Sequence, residues 1–178
     1  MIGSIVIKTE RLILEPVGVA RAQRLCDGDF DGFVAGTGWP HDDSFDVLGM
    51  AALAGYDTDT GWFIVRNGAV IGEIGVKGAF HDLGDPTTKP RDVEIGYGLA
   101  APFRRQGYGT EAAGAVVDLL LSLSGVSGVL AEVSRGNEPS ARLLAKIGFE
   151  CSSGPDPKFE FWRRVRRQDP VESRVTGE

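Results

Sequence analysis

The chain has 178 residues, enough for one domain with a true hydrophobic core, and its 42% hydrophobic and 25% charged residues match an ordinary water-soluble protein. A net charge of -6 argues against a nucleic-acid binder, which needs a basic face; it suits a cationic acceptor as well as it suits plain solubility. No apolar run approaches the roughly 20 residues of a membrane helix, residues 1–8 lack the layout of a signal peptide, and the cytoplasm is the expected location.

Residues 9–15 alternate as a first strand that stops at Pro16. Residues 19–30 and 44–55 read as two modest helices, joined by a Gly-rich loop with Gly36, Gly38, Trp39 and Pro40. Residues 61–66 form a strand, Asn67-Gly68 is a strong hairpin signal, and 69–76 return as the partner strand. A polar loop over 78–91 carries His81. A strand over 92–99 leads into the segment 104–110 and a helix to about Leu123, followed by a buried strand over 129–133. Residues 139–147 are a helix with Pro in its first turn, Gly148 at the left-handed position beyond its end and Phe149 folding back on it. Residues 158–165 alternate as a last strand, and the basic run that follows Trp162 reads as a solvated strand end. Residues 1–167 are expected to be one domain and the polar stretch 168–178 a disordered tail. This order predicts a mixed α/β sheet with helices on both faces. Cys26 and Cys151 lack metal-like spacing and read as buried or half-buried free thiols, and His41 and His81 lie far apart, so no metal is expected.

The segment Arg104-Arg105-Gln106-Gly107-Tyr108-Gly109-Thr110 has the chemistry of a phosphate cradle. Gly107 and Gly109 allow close backbone approach, free amides of the first helical turn point at a ligand, and the helix dipole and Arg104 add positive potential. The pattern is neither a nucleotide P-loop nor an early dinucleotide fingerprint. A Gly-rich connection without a ligand is the alternative.

Three features line up: the strand Val93-Glu94-Ile95-Gly96-Tyr97-Gly98-Leu99, the 104–110 turn, and Asn137-x-x-Ser140 ahead of Leu144 and Gly148-Phe149. Over roughly residues 8–165 the chain resembles the GNAT superfamily of N-acetyltransferases. The opening Thr9-Glu10-Arg11-Leu12-Ile13-Leu14 is similar to the RimJ/RimL-like branch, whose relatives acetylate ribosomal-protein N-termini. The resemblance implies a mostly antiparallel sheet of about seven strands flanked by about four helices. It implies acetyl-CoA as co-substrate, its pyrophosphate on the amides of Arg105 to Thr110 with the Thr110 hydroxyl available, and its pantetheine arm paired with Leu99 and Ala101 as an added strand. A splay between this strand and the next would admit that arm, and Gly96 and Gly98 are compatible with a bulge or close approach there. Arg105 stands where relatives often have Gly, and Gln106 where they often have a basic residue.

Attack of an amine on a thioester needs a base for the amine's proton, a donor to the carbonyl and an acid for the leaving thiolate. The resemblance puts the carbonyl donor near Leu99 and favours Glu94 as base, with Glu73 and His81 as alternatives and a structural carboxylate as the plain reading. It suggests Ser140 as the acid and Asn137 as a pantetheine contact or as the residue orienting Ser140. Both also fit ordinary helix-start capping. No tyrosine follows Tyr108, so the tyrosine acid used slightly further on by many relatives is excluded. Trp62 and Phe63 read as core; Trp39, with Asp42, Asp43 and Asp46, lies where relatives cover the acceptor. The expected activity is acetyl transfer to a primary amine, either a protein N-terminus or a small molecule such as an antibiotic; a non-catalytic acyl-CoA-binding module is the rival class. A monomer or a homodimer fits equally.

Overall fold

Eight strands form one sheet in the order β1-β2-β3-β4-β5-β6-β8-β7, antiparallel throughout except between β5 and β6. The computed structural model describes residues 5–41, 44–45, 48–49, 61–77, 89–154 and 156–166. Its strands are β1 (Ile7–Lys8), β2 (Ile13–Pro16), β3 (Gly61–Arg66), β4 (Ala69–Lys77), β5 (Arg91–Leu99), β6 (Val126–Ser134), β7 (Glu150–Ser152) and β8 (Phe159–Val165). Three helices accompany them among the described residues: α1 (Val19–Cys26), α2 (Tyr108–Ser122) and α3 (Glu138–Lys146). The mixed, mostly antiparallel sheet read from the sequence is therefore present. Most of the helix expected over 44–55 and the tail at 168–178 lie outside the described residues.

Both faces of the central strands are covered, which is why β3 and β4 are apolar almost without interruption. Trp62, Ile64, Ile74, Val93 and Ile95 pack with Ala112, Val116 and Leu120 of α2 in the larger core. Phe63, Val65 and Val70 face the other way, toward Ala22 and Leu25 of α1 and toward Trp39. Trp62 and Phe63 are core residues, as read. Asn67 and Gly68 turn the β3–β4 hairpin with φ of 50° and 78°, the left-handed pair that such a tight turn needs.

Four local expectations need correction. The strand expected over 9–15 is broken at Thr9, whose N–H donates to Leu12 O at 3.0 Å and reverses the chain between β1 and β2. Both cysteines are exposed, because Cys26 ends α1 away from the core-facing Ala22 and Leu25, and Cys151 lies on the edge strand β7. The basic run is not merely solvated. Arg163 Nε and Nη2 grip Asp92 at 2.7 and 3.1 Å, Arg164 meets Asp118 at 2.8 Å, and Arg166 donates to the carbonyls of Leu121 and Leu123 at the end of α2. Of the bulge or close approach expected at Gly96 and Gly98, the bulge does not occur, because β5 runs in continuous register with β4, while Gly98 does admit a close approach, by the His41 ring. No helix among the described residues is long and apolar enough to cross a membrane.

Candidate active site

The site is built by a separation of strands. β5 pairs with β6 only from Arg91 to Glu94, which faces Leu130; beyond that the two strands have no further ladder partners, while β6 continues against β8 to Ser134. Ala100 N–H donates to Ile71 O on the β4 side. Hydrogen-bonding groups alternate along a strand, so those of Tyr97 and Leu99 point the opposite way, into the opening. Arg104 Nε donates to Leu99 O at 2.7 Å, leaving the Leu99 amide as a donor directed into the splay.

The 104–110 turn closes one end of that opening. Gly107 caps α2 in the left-handed conformation, with φ of 85° and no side-chain cap, so the first amides of α2 have no side-chain acceptor. Gly109 serves packing more than ligand approach, because a Cβ there would meet Leu143 at 3.1 Å and Leu99 at 3.3 Å. Tyr108 is buried, with Arg11 and Arg66 over its ring, so only its backbone is available to a ligand. Arg105 sits at φ 61°, the conformation that suits the glycine of relatives. The Gln106 amide is turned onto Pro102 O, and the Gln106 carbonyl accepts from Arg11 Nη1. Thr110 is half-buried in the first turn of α2, and Ala101 begins the 3₁₀ turn Ala101–Phe103.

Across the opening, Asn137 caps α3 by accepting from Ser140 N–H at 3.3 Å, which is the capping role its position allowed. The Ser140 side chain lies beside the buried hydroxyl of Tyr97, which makes no well-formed hydrogen bond among the described residues. Burial pushes the Tyr97 phenol above its usual range, and Ser140 partly offsets this. Sequence order hid this neighbour. A tyrosine on β5 meets a serine on α3, beyond α2 and β6 in the chain, only because the fold brings β5 and α3 together.

On the α1 face of the sheet, Glu94 is half-exposed and ion-paired with Lys77 of the adjacent strand. Glu73, opposite Gly98 in the β4–β5 register, is fully buried. It accepts from Trp39 Nε1 at 2.6 Å and Ser44 Oγ at 2.9 Å, and His41 Nε2 stands 3.0 Å away. Trp39 is thus a buried donor to Glu73. Local sequence pattern does not mark His41 as a site residue, because nothing in it links His41 to β4. His81, Asp42, Asp43 and Asp46 lie outside the described residues. No cluster of three or more His, Cys, Asp or Glu that could hold a metal occurs among the described residues.

A family profile described as an acetyltransferase (GNAT) domain matches residues 11–150. The uncharacterized N-acetyltransferase YjdG of Bacillus subtilis is 27% identical, over 92% of this chain and 99% of that protein. Among solved structures, an acetyltransferase from Agrobacterium tumefaciens superposes with a TM-score of 0.62 at 24% identity, covering 90% of this chain and 94% of its own. AAC(6')-Ib in complex with paromomycin and acetyl-CoA superposes with a TM-score of 0.60 at 20% identity, over 88% of this chain and 94% of its own.

Proposed function

Because this chain belongs to the GNAT acetyltransferase family, we propose that it moves the acetyl group of acetyl-CoA to a primary amine by direct attack, and that the acceptor is a protein N-terminal amine, as in the RimJ/RimL-like branch that its opening residues resemble. The observation that carries this reading is the β5–β6 splay, which directs the Leu99 amide into a cleft bounded by the uncapped start of α2. An open strand edge ending at a helix N-terminus fits an extended arm that carries a phosphate group.

Acetyl-CoA supplies the activated acetyl thioester. The amides from Arg105 to Thr110 would hold its pyrophosphate, with Asn137 beside the arm; Leu99 and Ala101 would pair with that arm. The Leu99 N–H serves as donor to the carbonyl oxygen, in the manner of an oxyanion hole. The Ser140 hydroxyl gives its proton to the departing sulfur. Tyr97, whose raised pKa keeps it protonated, can donate to Ser140 Oγ and leave the serine proton directed at the sulfur. The proton of the attacking amine leaves toward the α1 face of β4 and β5, where Glu94 and Glu73 stand.

The test is thiol release from acetyl-CoA with purified ribosomal proteins and, separately, with a panel of small amines that includes aminoglycosides. Mass-spectrometric acetylation of a protein α-amine supports the reading. Turnover with small amines alone would reassign the acceptor. Acetyl-CoA binding without turnover of any amine would make the protein an acyl-CoA-binding module. Ser140→Ala is expected to lower kcat about 10²-fold with little change in KM.

A further inference from the structure

Acetyl transfer needs a proton acceptor close to the carbonyl donor, and Glu94 is poorly placed for that task. It is ion-paired with Lys77 and lies four residues, about 13 Å, along the strand from Gly98. The end of β5 beside Leu99 holds a different group. Glu73 is fully buried there, and a buried carboxylate is costly unless it is bonded on several sides. Trp39 and Ser44, from the stretch that follows α1, donate to Glu73, and His41 of the same stretch stands 3.0 Å from its other oxygen.

The His41 ring lies directly against Gly98. A Cβ at Gly98 would come within 2.4 Å of His41 Cε1 and 2.7 Å of Glu73 Oε1, so the strand makes room for this pair by carrying no side chain. The next residue is Leu99, whose amide faces the splay. His41 Nε2 stands 3.0 Å from Glu73 Oε1 but not in hydrogen-bond geometry, and both ring nitrogens are buried without a well-formed hydrogen bond among the described residues. A small rotation of the ring would let Nε2–H donate to that carboxylate, which fixes the imidazole's tautomer and leaves the lone pair on Nδ1.

We propose that His41 is the general base of acetyl transfer and that Glu73 is the positioning residue that holds its ring. The assignment rests on the acetyl-transfer reading above. As the amine nitrogen bonds to the carbonyl carbon, its N–H proton passes to His41 Nδ1. The carbon–sulfur bond breaks with its electron pair on sulfur, and the thiolate takes a proton from Ser140, which recovers one from water. His41 then releases its proton to solvent, so the net change is an amide and a free thiol.

A purely structural role would have these contacts only pin the 39–44 segment to the sheet. His41→Gln keeps a donor for Glu73 and separates the two roles. The expected result is a fall in kcat of about 10²-fold or more, with acetyl-CoA affinity by calorimetry and Tm unchanged. Free imidazole should restore part of the turnover lost in His41→Ala. Glu73→Gln should lower kcat in the otherwise unaltered protein and add no further loss in the His41→Gln background. Retained turnover in His41→Gln, or loss of fold and acetyl-CoA binding without imidazole rescue, would overturn the assignment. So would a comparable loss found only in Glu94→Gln. If the unaltered protein turns over no amine, the acetyl-transfer reading itself fails, and this assignment falls with it.

Discussion

Arg105 is held at φ 61°, where an L side chain crowds its own carbonyl at a cost of roughly 1–2 kcal/mol. Gly107, two residues on, uses the same region without that cost. Arg105→Gly should therefore raise stability by about 0.5–1 kcal/mol, the relieved strain being partly offset by the greater freedom of glycine in the unfolded chain; a denaturation curve measures it. Asp92 gives a second residue-level expectation. The Arg163 guanidinium, helped by the Ser127 hydroxyl, holds the Asp92 carboxyl below its usual range. A depressed carboxyl contributes stability that is fully present above its unfolded value, about 3.9, and is lost as pH falls through the folded value. Tm measured against pH should show that acid loss. Asp92→Asn should lower Tm at neutral pH and flatten the acid part of the profile.

Among the elements, the turn before α2 is braced from the far end of the sequence. Thr9 Oγ1 and Arg11 N donate to Glu111 Oε1 at 2.5 and 2.8 Å, while Arg11 Nε reaches Glu111 Oε2 at 2.7 Å and Nη1 reaches Gln106 O at 2.9 Å. Partial burial pushes the Glu111 carboxyl up, but the bonds from Thr9 and Arg11 outweigh it and hold the group below its usual range. The Thr9–Arg11 segment that breaks the first strand is thus the segment that fixes the turn. Arg11→Ala should raise the KM for acetyl-CoA about tenfold, the effect of one lost charge-assisted hydrogen bond, and leave kcat nearly unchanged. Steady-state kinetics with acetyl-CoA as the varied substrate would show it.

For the whole molecule, the decisive feature is one parallel strand pair in an otherwise antiparallel sheet. β5 and β6 are joined through α2, meet over a short ladder and then part; α2 begins beyond the end of β5, and α3 brings Ser140 beside Tyr97. A ligand that bridges this gap binds only the folded chain. Acetyl-CoA at about 100 times its Kd should therefore add about 2.7 kcal/mol, raising Tm by roughly 5–10 °C in a thermal scan. The sequence by itself determined what depends on short-range pattern: the 104–110 turn and its glycines, the Asn67-Gly68 hairpin, the Asn137 cap and the Gly148-Phe149 helix end. In each of these, residues within a few positions of one another set the backbone. Only the tertiary structure decided what depends on sheet register. Register set Glu73 opposite Gly98, drew His41 and Trp39 onto that carboxylate, brought Tyr97 to Ser140 and carried Arg11 to Glu111. These partners lie tens of residues apart, and no local periodicity records which strand will lie beside which.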